Sequence, residues 1–328
     1  MARYIIGIHG LRNKPPADLL KKWWQFALKE GLERIGHPHL RIPFDLIYWA
    51  DELYPEPLDP DLSDPDDEQY MDEPYQWGVS AIQEDRSNQV NNLRRYIEKQ
   101  LHGIFLKPNL SMNYENITDK IFRHFFKDLD KYFSKADTEN ETTRLRVQQR
   151  MLELLDRHAK DEVLLIAHSM GSIIAYDVMT RYPERCKHIQ KFVTIGSPLG
   201  LPFILGKLAQ GMPETERIGD KLRTPSVFKG QWLNYSDPED MIAFDQQLSD
   251  DYVANELGVK VEDFPVFNDY LDGGERNTHK SYGYLRSDEM ATLVHEFLSP
   301  QSGRFRGMID KIWSTFSISF KNIWRKRK

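Results

Sequence analysis

The run Glu162-Val163-Leu164-Leu165-Ile166-Ala167, followed at once by His168-Ser169-Met170-Gly171-Ser172, constrains this chain more than any other stretch. A continuous apolar segment of that length suits a buried strand. Beyond the serine, Ile173, Ile174, Tyr176, Val178 and Met179 recur at helical spacing. A serine centred in a strand–turn–helix junction sits on a sharp bend that lifts its hydroxyl above the sheet edge, the context in which a G-x-S-x-G nucleophile elbow works. Small residues must flank it so that strand and helix can approach each other. Ala167 stands in place of the first glycine, with the smallest side chain available, and Gly171 keeps the second. The junction therefore nominates Ser169 as a nucleophile, against the plainer reading of a structural turn serine.

Other elements take their places around this junction. Tyr4 to Ile8 is a short apolar run that opens on His9-Gly10, a strand ending in a loop, and residues 17–35 carry Leu19, Leu20, Trp23, Trp24, Ala27, Leu28 and Leu32 at helical intervals. Phe44 to Trp49 reads as a second strand. Pro55, Pro57, Pro60, Pro65 and Pro74 then deny regular structure, so 51–77 reads as an excursion or a solvated linker. Residues 80–133 read mostly as helix broken near Pro108, and Thr143 to His158 as a further helix. Within that region the stripe Ile117, Ile121, Phe122, Phe125, Phe126, Leu129, Tyr132, Phe133 suits either a cap over the site or packing on the sheet. Ser197 to Leu205 is apolar and rich in Pro and Gly, fit for an acyl-chain wall or for core packing.

Charge is unevenly spread. Eleven acidic residues and no Lys or Arg lie between Asp51 and Trp77, whereas Arg304 to Lys328 holds eight basic residues and one acid. The chain carries −6 in all and this tail +7, so the first 303 residues stand at −13. A body that acidic is a poor nucleic-acid binder, because neutralising phosphates takes clustered Lys and Arg. The single cysteine, Cys186, excludes a disulfide-stapled fold. No apolar run is long enough to span a bilayer and the N-terminus lacks the pattern of a signal peptide, so a cytoplasmic protein is expected. No H-E-x-x-H or Cys pair is present and the histidines are scattered, which predicts neither metal nor cofactor.

On Ile8-His9-Gly10-Leu11, Ala167-His168-Ser169-Met170-Gly171, Ile195-Gly196-Ser197-Pro198-Leu199-Gly200 and a late acid and histidine, the chain resembles the α/β-hydrolase family. The likeness is to its lipase-like and esterase-like members with an A-H-S-[ML]-G elbow, the group that includes the GPI inositol-deacylase-type serine hydrolases. It runs from residue 4 to about 298; segments 51–160 and 304–328 carry no recognisable motif. It implies an α/β fold: a mostly parallel central sheet with helices on both faces, forming a catalytic domain over 1–303 in which 51–160 is an insertion or cap-like region ahead of the elbow.

A serine hydroxyl needs a base, and that base needs an orienting acid. The family order of serine, acid, histidine points downstream. Of the two histidines in the last hundred residues, His279 lies in a loop after a strand-like segment at Val259 to Val266, whereas His295 falls within a helical pattern. The stretch Trp232 to Ala243 resembles the W-x-N-x-x-x-x-x-D-x-[VI]-A segment that carries the acid in related hydrolases, which assigns the role to Asp240 at the entry to a helix. Asp237 before Pro238 is the natural turn-former, and with Glu239 it remains an alternative. The oxyanion donors should be the backbone N–H groups of Met170 and Leu11. His9 either positions the first-strand loop or merely packs beside the site, and His168 reads as structural, pointing away from the nucleophile.

Residues 304–328 place Phe305, Met308, Ile309, Ile312, Trp313, Phe316, Phe320, Ile323 and Trp324 three and four apart and end in Arg325-Lys326-Arg327-Lys328. This is the pattern of an interfacial helix on an anionic membrane surface, or of a helix docked on its own domain or a partner subunit. The expectation is a serine hydrolase acting on a carboxylic ester, a lipid among the candidates. The same triad would serve an acyltransferase or thioesterase, and the fold could also carry a catalytically silent binding protein. The sequence leaves the oligomeric state open.

Overall fold

The computed structural model describes residues 1–64, 66–71, 74–82, 105–106, 112–113, 120–133, 142–210, 212, 216–219 and 221–299. The strands of its central sheet are β1 (Arg3–Ile8), β2 (Phe44–Ile47), β3 (Glu162–His168), β4 (Ile189–Ile195), β5 (Gln231–Ser236) and β6 (Val261–Pro265). They lie in the order β6-β5-β4-β3-β1-β2, and every neighbouring pair is parallel. Parallel strands require crossovers that bury both faces. This explains why β3 reads as a continuous apolar run and not as an alternating one.

The main helices are α1 (Ala17–Arg34), α2 (Lys120–Phe133), α3 (Thr143–Arg157), α4 (Met170–Arg181), α5 (Pro202–Ala209), α6 (Ser281–Leu285) and α7 (Asp288–Leu298). Successive strand side chains alternate between two layers. Ile6, Ile8, Val163, Leu165, Ala167, Phe192 and Trp232 share one core with Phe125 and Leu129 of α2, Met151 and Leu155 of α3 and Ile173 of α4. On the other face Gly7 leaves room for Trp24 of α1: a Cβ there would meet the indole at 2.8 Å. The layered parallel sheet, with a serine on the tight turn between β3 and α4, has the architecture of an α/β-hydrolase fold. Helices 17–34, 143–157 and 288–298 fall where the periodicity predicts them.

Some expectations are corrected and others are narrowed to one of their alternatives. On either side of Pro108 the described residues form a short antiparallel pairing, Phe105–Leu106 with Met112–Asn113, where helix is expected to flank the break. The described part of the α2 stripe is core: Phe125, Phe126, Leu129 and Tyr132 are buried, and Phe126 packs on Phe203 of α5 in a tilted pair with ring centroids 4.8 Å apart. The same contact, with Leu199, Leu201 and Ile204 buried, makes 197–205 a packing element. The described residues of the acidic excursion are tied to the body and do not form a free linker. Tyr54 donates to Asp128 of α2 at 2.8 Å, Arg146 of α3 pairs with Glu52 at 2.7 Å, and the Pro74 carbonyl accepts from Tyr270 at 2.7 Å. Residues 83–104 and the tail from 300 onward lie outside the described residues, and with them the interfacial-helix expectation. Among the described residues no helix is long and apolar enough to cross a membrane, and no cluster of three metal-ligating side chains occurs.

Candidate active site

The sheet order reverses at β1: the chain passes from β1 outward to β2, then returns to the other side of β1 with β3. In open α/β sheets the crevice at the carboxyl ends of strands flanking such a reversal is where ligands bind. The His9-Gly10 loop and Ser169 occupy that crevice. Ser169 has φ +51° and ψ −125°, in the left-handed half of backbone space, which a non-glycine residue enters only when its surroundings impose it. Three contacts impose it here. The Ser169 amide donates to the Ile195 carbonyl at 3.0 Å, Ser172 Oγ donates to the Ser169 carbonyl at 2.5 Å, and Ser197 Oγ lies 2.7 Å from Ser172 Oγ. The Gly196-Ser197-Pro198 loop thus braces the elbow from below. A Cβ at Gly171 would meet the Ile8 and His9 carbonyls at 2.6 and 2.7 Å, and one at Gly10 would meet Ser169 Cβ at 2.8 Å. These two glycines let helix, elbow and first-strand loop close on one another.

His279 reaches Ser169 from 110 residues away: its Nε2 lies 3.0 Å from Ser169 Oγ. Its Nδ1 lies 2.9 Å from both carboxylate oxygens of Asp240. An ionised carboxylate only accepts, so Nδ1 carries the proton, and Nε2 is left to accept from the serine hydroxyl. Asp240 is fixed in turn by the Ile242 and Ala243 amides, which donate to Oδ1 at 2.9 and 3.2 Å, and by the Tyr284 hydroxyl, which donates to Oδ2 at 2.8 Å. Asp240 caps a non-helical turn, and the nearest helical turn begins only at Leu248, a correction to the expected helix entry.

The alternative acids face elsewhere. Asp237 accepts from the Glu239 and Asn268 amides at 2.8 and 2.7 Å and pairs with Arg276 at 2.8 Å, while Glu239 pairs with Arg276 at 2.7 Å. Burial pushes the Asp237 carboxyl up to about 6, with Arg276 and the two amides opposing the rise. His295 stacks on His37 with centroids 3.7 Å apart and joins none of these groups.

Both histidines flanking the nucleophile prove to be struts. His168 does not point away into structure of its own: its Nε2–H donates to the His279 carbonyl at 2.8 Å, and the two rings lie 4.8 Å apart. Burial, reinforced by His279, holds it well below the usual histidine range, hence neutral. His9 donates from Nδ1 to the Gly10 carbonyl at 2.7 Å and accepts at Nε2 from the Trp49 amide at 3.0 Å. Burial lowers it to about 3. It therefore fixes the loop that leads into Leu11, the positioning alternative of the two that the sequence leaves open. In that loop the Arg12 amide donates to the buried Asp128 at 3.3 Å, and the Leu11 carbonyl accepts from Lys14 Nζ. Met170 opens α4, where backbone N–H groups lack an intrahelical acceptor. Leu11 and Met170 thus lie on the two segments that converge at Ser169.

Sequence reasoning misses Tyr284 and the roles of Ser172 and His168, and it names Gly196 only as part of a motif. Gly196 has a usable signal, standing in a Gly-Ser-Pro turn at a strand end. A Cβ there would meet Asp240 Oδ2 at 3.0 Å and His279 Nδ1 at 3.2 Å, so its backbone covers the acid–base pair.

Residues 87–210 match the family model described as a PGAP1-like alpha/beta domain, a span that includes the elbow and begins inside the segment where the sequence shows no recognisable motif. Among solved structures, the crystal structure of a histidine-to-alanine variant of PytH is similar over 90% of this chain and 97% of that one, at 12% identity and a TM-score of 0.33. None of the curated proteins matches the chain.

Proposed function

We propose that this chain, assigned to the lipase-like α/β-hydrolase superfamily by its fold and by the match over its elbow, is a serine hydrolase that cleaves a carboxylic ester, a lipid ester among its candidate substrates. The observation that carries the reading is the hydrogen-bonded line Ser169–His279–Asp240 beginning at a backbone-strained serine. Ser169 Oγ attacks the ester carbonyl carbon as His279 Nε2 takes its proton. The carbonyl π pair moves to oxygen, and the amides of Leu11 and Met170 receive that negative charge. Collapse expels the alkoxide, which takes the proton from His279 and leaves an acyl-Ser169. Water then attacks the acyl carbon by the same path and frees the acid. Asp240 stays ionised throughout and stabilises the imidazolium formed in each half.

A fluorophosphonate probe and a p-nitrophenyl ester series graded by acyl length test this directly. Stoichiometric labelling at Ser169, with hydrolysis that falls at least about 10³-fold in Ser169→Ala, is the expected result. Full activity in a folded Ser169→Ala protein would refute the assignment. Product analysis with added alcohols separates hydrolysis from acyl transfer.

A further inference from the structure

We infer that Tyr284 is a positioning residue that sets the strength of the Asp240–His279 contact, a fourth member of the hydrogen-bonded line behind Ser169. The inference rests on the proposed role of that line but adds to it a residue that never meets substrate. Tyr284 lies in α6, five residues beyond His279, and is fully buried. Its hydroxyl accepts from the Asp237 amide at 2.8 Å. An amide only donates, so the phenolic proton is left for Asp240 Oδ2, 2.8 Å away. Oδ1 is meanwhile held by two backbone amides. Four donors, His279 included, therefore share the charge of one carboxylate.

Closure of the site around this group argues against space-filling alone. A Cβ at Gly196 would lie 3.0 Å from Asp240 Oδ2, 3.2 Å from His279 Nδ1 and 3.2 Å from Tyr284 Cε2, so one strand-end backbone covers all three. In such a site each donor to a carboxylate weakens its attraction for an imidazolium. Tyr284 hence tempers Asp240 and fixes the plane in which it meets His279. The other titratable and charged groups around the pair are Ser169 and His168 on the elbow, Asp237 and Glu239 with Arg276 on the acid side, Lys280 beside the base, and Lys14 on the first-strand loop. None of these side chains is substituted in the test; the Asp237 amide loses its acceptor, while the Asp237 carboxylate keeps Arg276 and the Glu239 and Asn268 amides.

The test is Tyr284→Phe, which keeps the ring against Gly196 and removes only the hydroxyl. The proton shared by His279 Nδ1 and Asp240 is followed by NMR across pH, alongside the pH profile of kcat/KM on a soluble ester. The expected result is an upward move of the His279 titration midpoint, and of the acid limb of kcat/KM, by about half a pH unit or more, with kcat falling more than KM rises. Superimposable titrations, with activity merely scaled, would overturn the inference. If Tyr284→Phe does not fold, 3-fluorotyrosine at position 284, a stronger donor of nearly the same shape, should move the midpoint downward, and no movement would overturn it equally. The NMR readout needs no turnover. A wild-type protein inert to esters and to fluorophosphonate would defeat the proposed function while leaving this inference decided by the titration.

Discussion

At the scale of single residues, two aspartates three positions apart are given opposite jobs by their neighbours. Asp237 and Asp240 are both buried, but the first is turned toward Arg276 and the second toward His279. Asp240→Asn keeps the shape while weakening the hold on the Nδ1–H tautomer, so kcat should fall by about 10⁴, as expected when the acid of such a triad becomes an amide. Asp237→Asn removes a carboxylate whose burial already pushes it up to about 6. It leaves Arg276 with Glu239 at 2.7 Å. That change should cost about 2 kcal/mol of stability, below the cost of stranding a buried charge outright, and leave kcat within about tenfold of wild type. Kinetics of both variants with a urea unfolding curve for each checks the pair. An inactive Asp237→Asn beside an active Asp240→Asn would exchange the two roles.

At the scale of elements, the loop after β1 is held by a histidine that must stay neutral. His9 sits at about 3 in the folded protein against an ordinary value of 6.5, and burial is the main cause. Between those values the unfolded chain binds a proton that the folded chain refuses. His9's contribution is thus complete above pH 6.5 and is lost as pH falls toward 3, at about 1.4 kcal/mol per unit. Raised carboxyls such as Asp237 titrate with the opposite sign, so the measurement must be differential. Urea unfolding at pH 7.5 and 5.5 should show His9→Asn losing about 1 kcal/mol less than wild type over that interval. Equal losses would mean that His9 is protonated in the folded state. An asparagine can still donate to the Gly10 carbonyl, so the comparison isolates the charge from the contact.

At the scale of the molecule, the charge separation between an acidic body and the basic segment 304–328 motivates the proposal that the tail brings the protein to an anionic membrane surface. Each basic residue near such a surface contributes about 1 kcal/mol, an attraction that salt screens, and the aromatic residues add apolar burial. Truncation after Ser302 should abolish co-sedimentation with phosphatidylserine liposomes and leave hydrolysis of a soluble short-chain ester nearly unchanged. A truncated protein that is insoluble or inactive on that ester would make the tail a packed part of the fold and end the membrane proposal.

What the sequence by itself determines is what short-range sterics and hydrophobic periodicity enforce. The elbow is legible because a strand, a strained serine and a helix must follow one another within a few residues, and Ala167 and Gly171 are the small residues that such a bend needs. The inner strands β1 and β3 are legible for the same reason, since parallel strands buried on both faces read as apolar runs, whereas the polar residues in β2, β5 and β6 dilute that signal. Asp240 and His279 are legible through family resemblance aided by weak local signals, a turn-forming Asp237 before Pro238 and a loop around His279, and those signals leave Asp237 open as an alternative. That choice belongs to the tertiary structure. Asp240 and His279 are 39 residues apart, and His279 and Ser169 are 110 apart. The strand order β6-β5-β4-β3 carries the loops of His279, Asp240 and Ser169 to one edge of the sheet. Tyr284 and His168 were invisible for the same reason: a buried tyrosine and a histidine beside the nucleophile look like core until folding shows which polar atom each one faces.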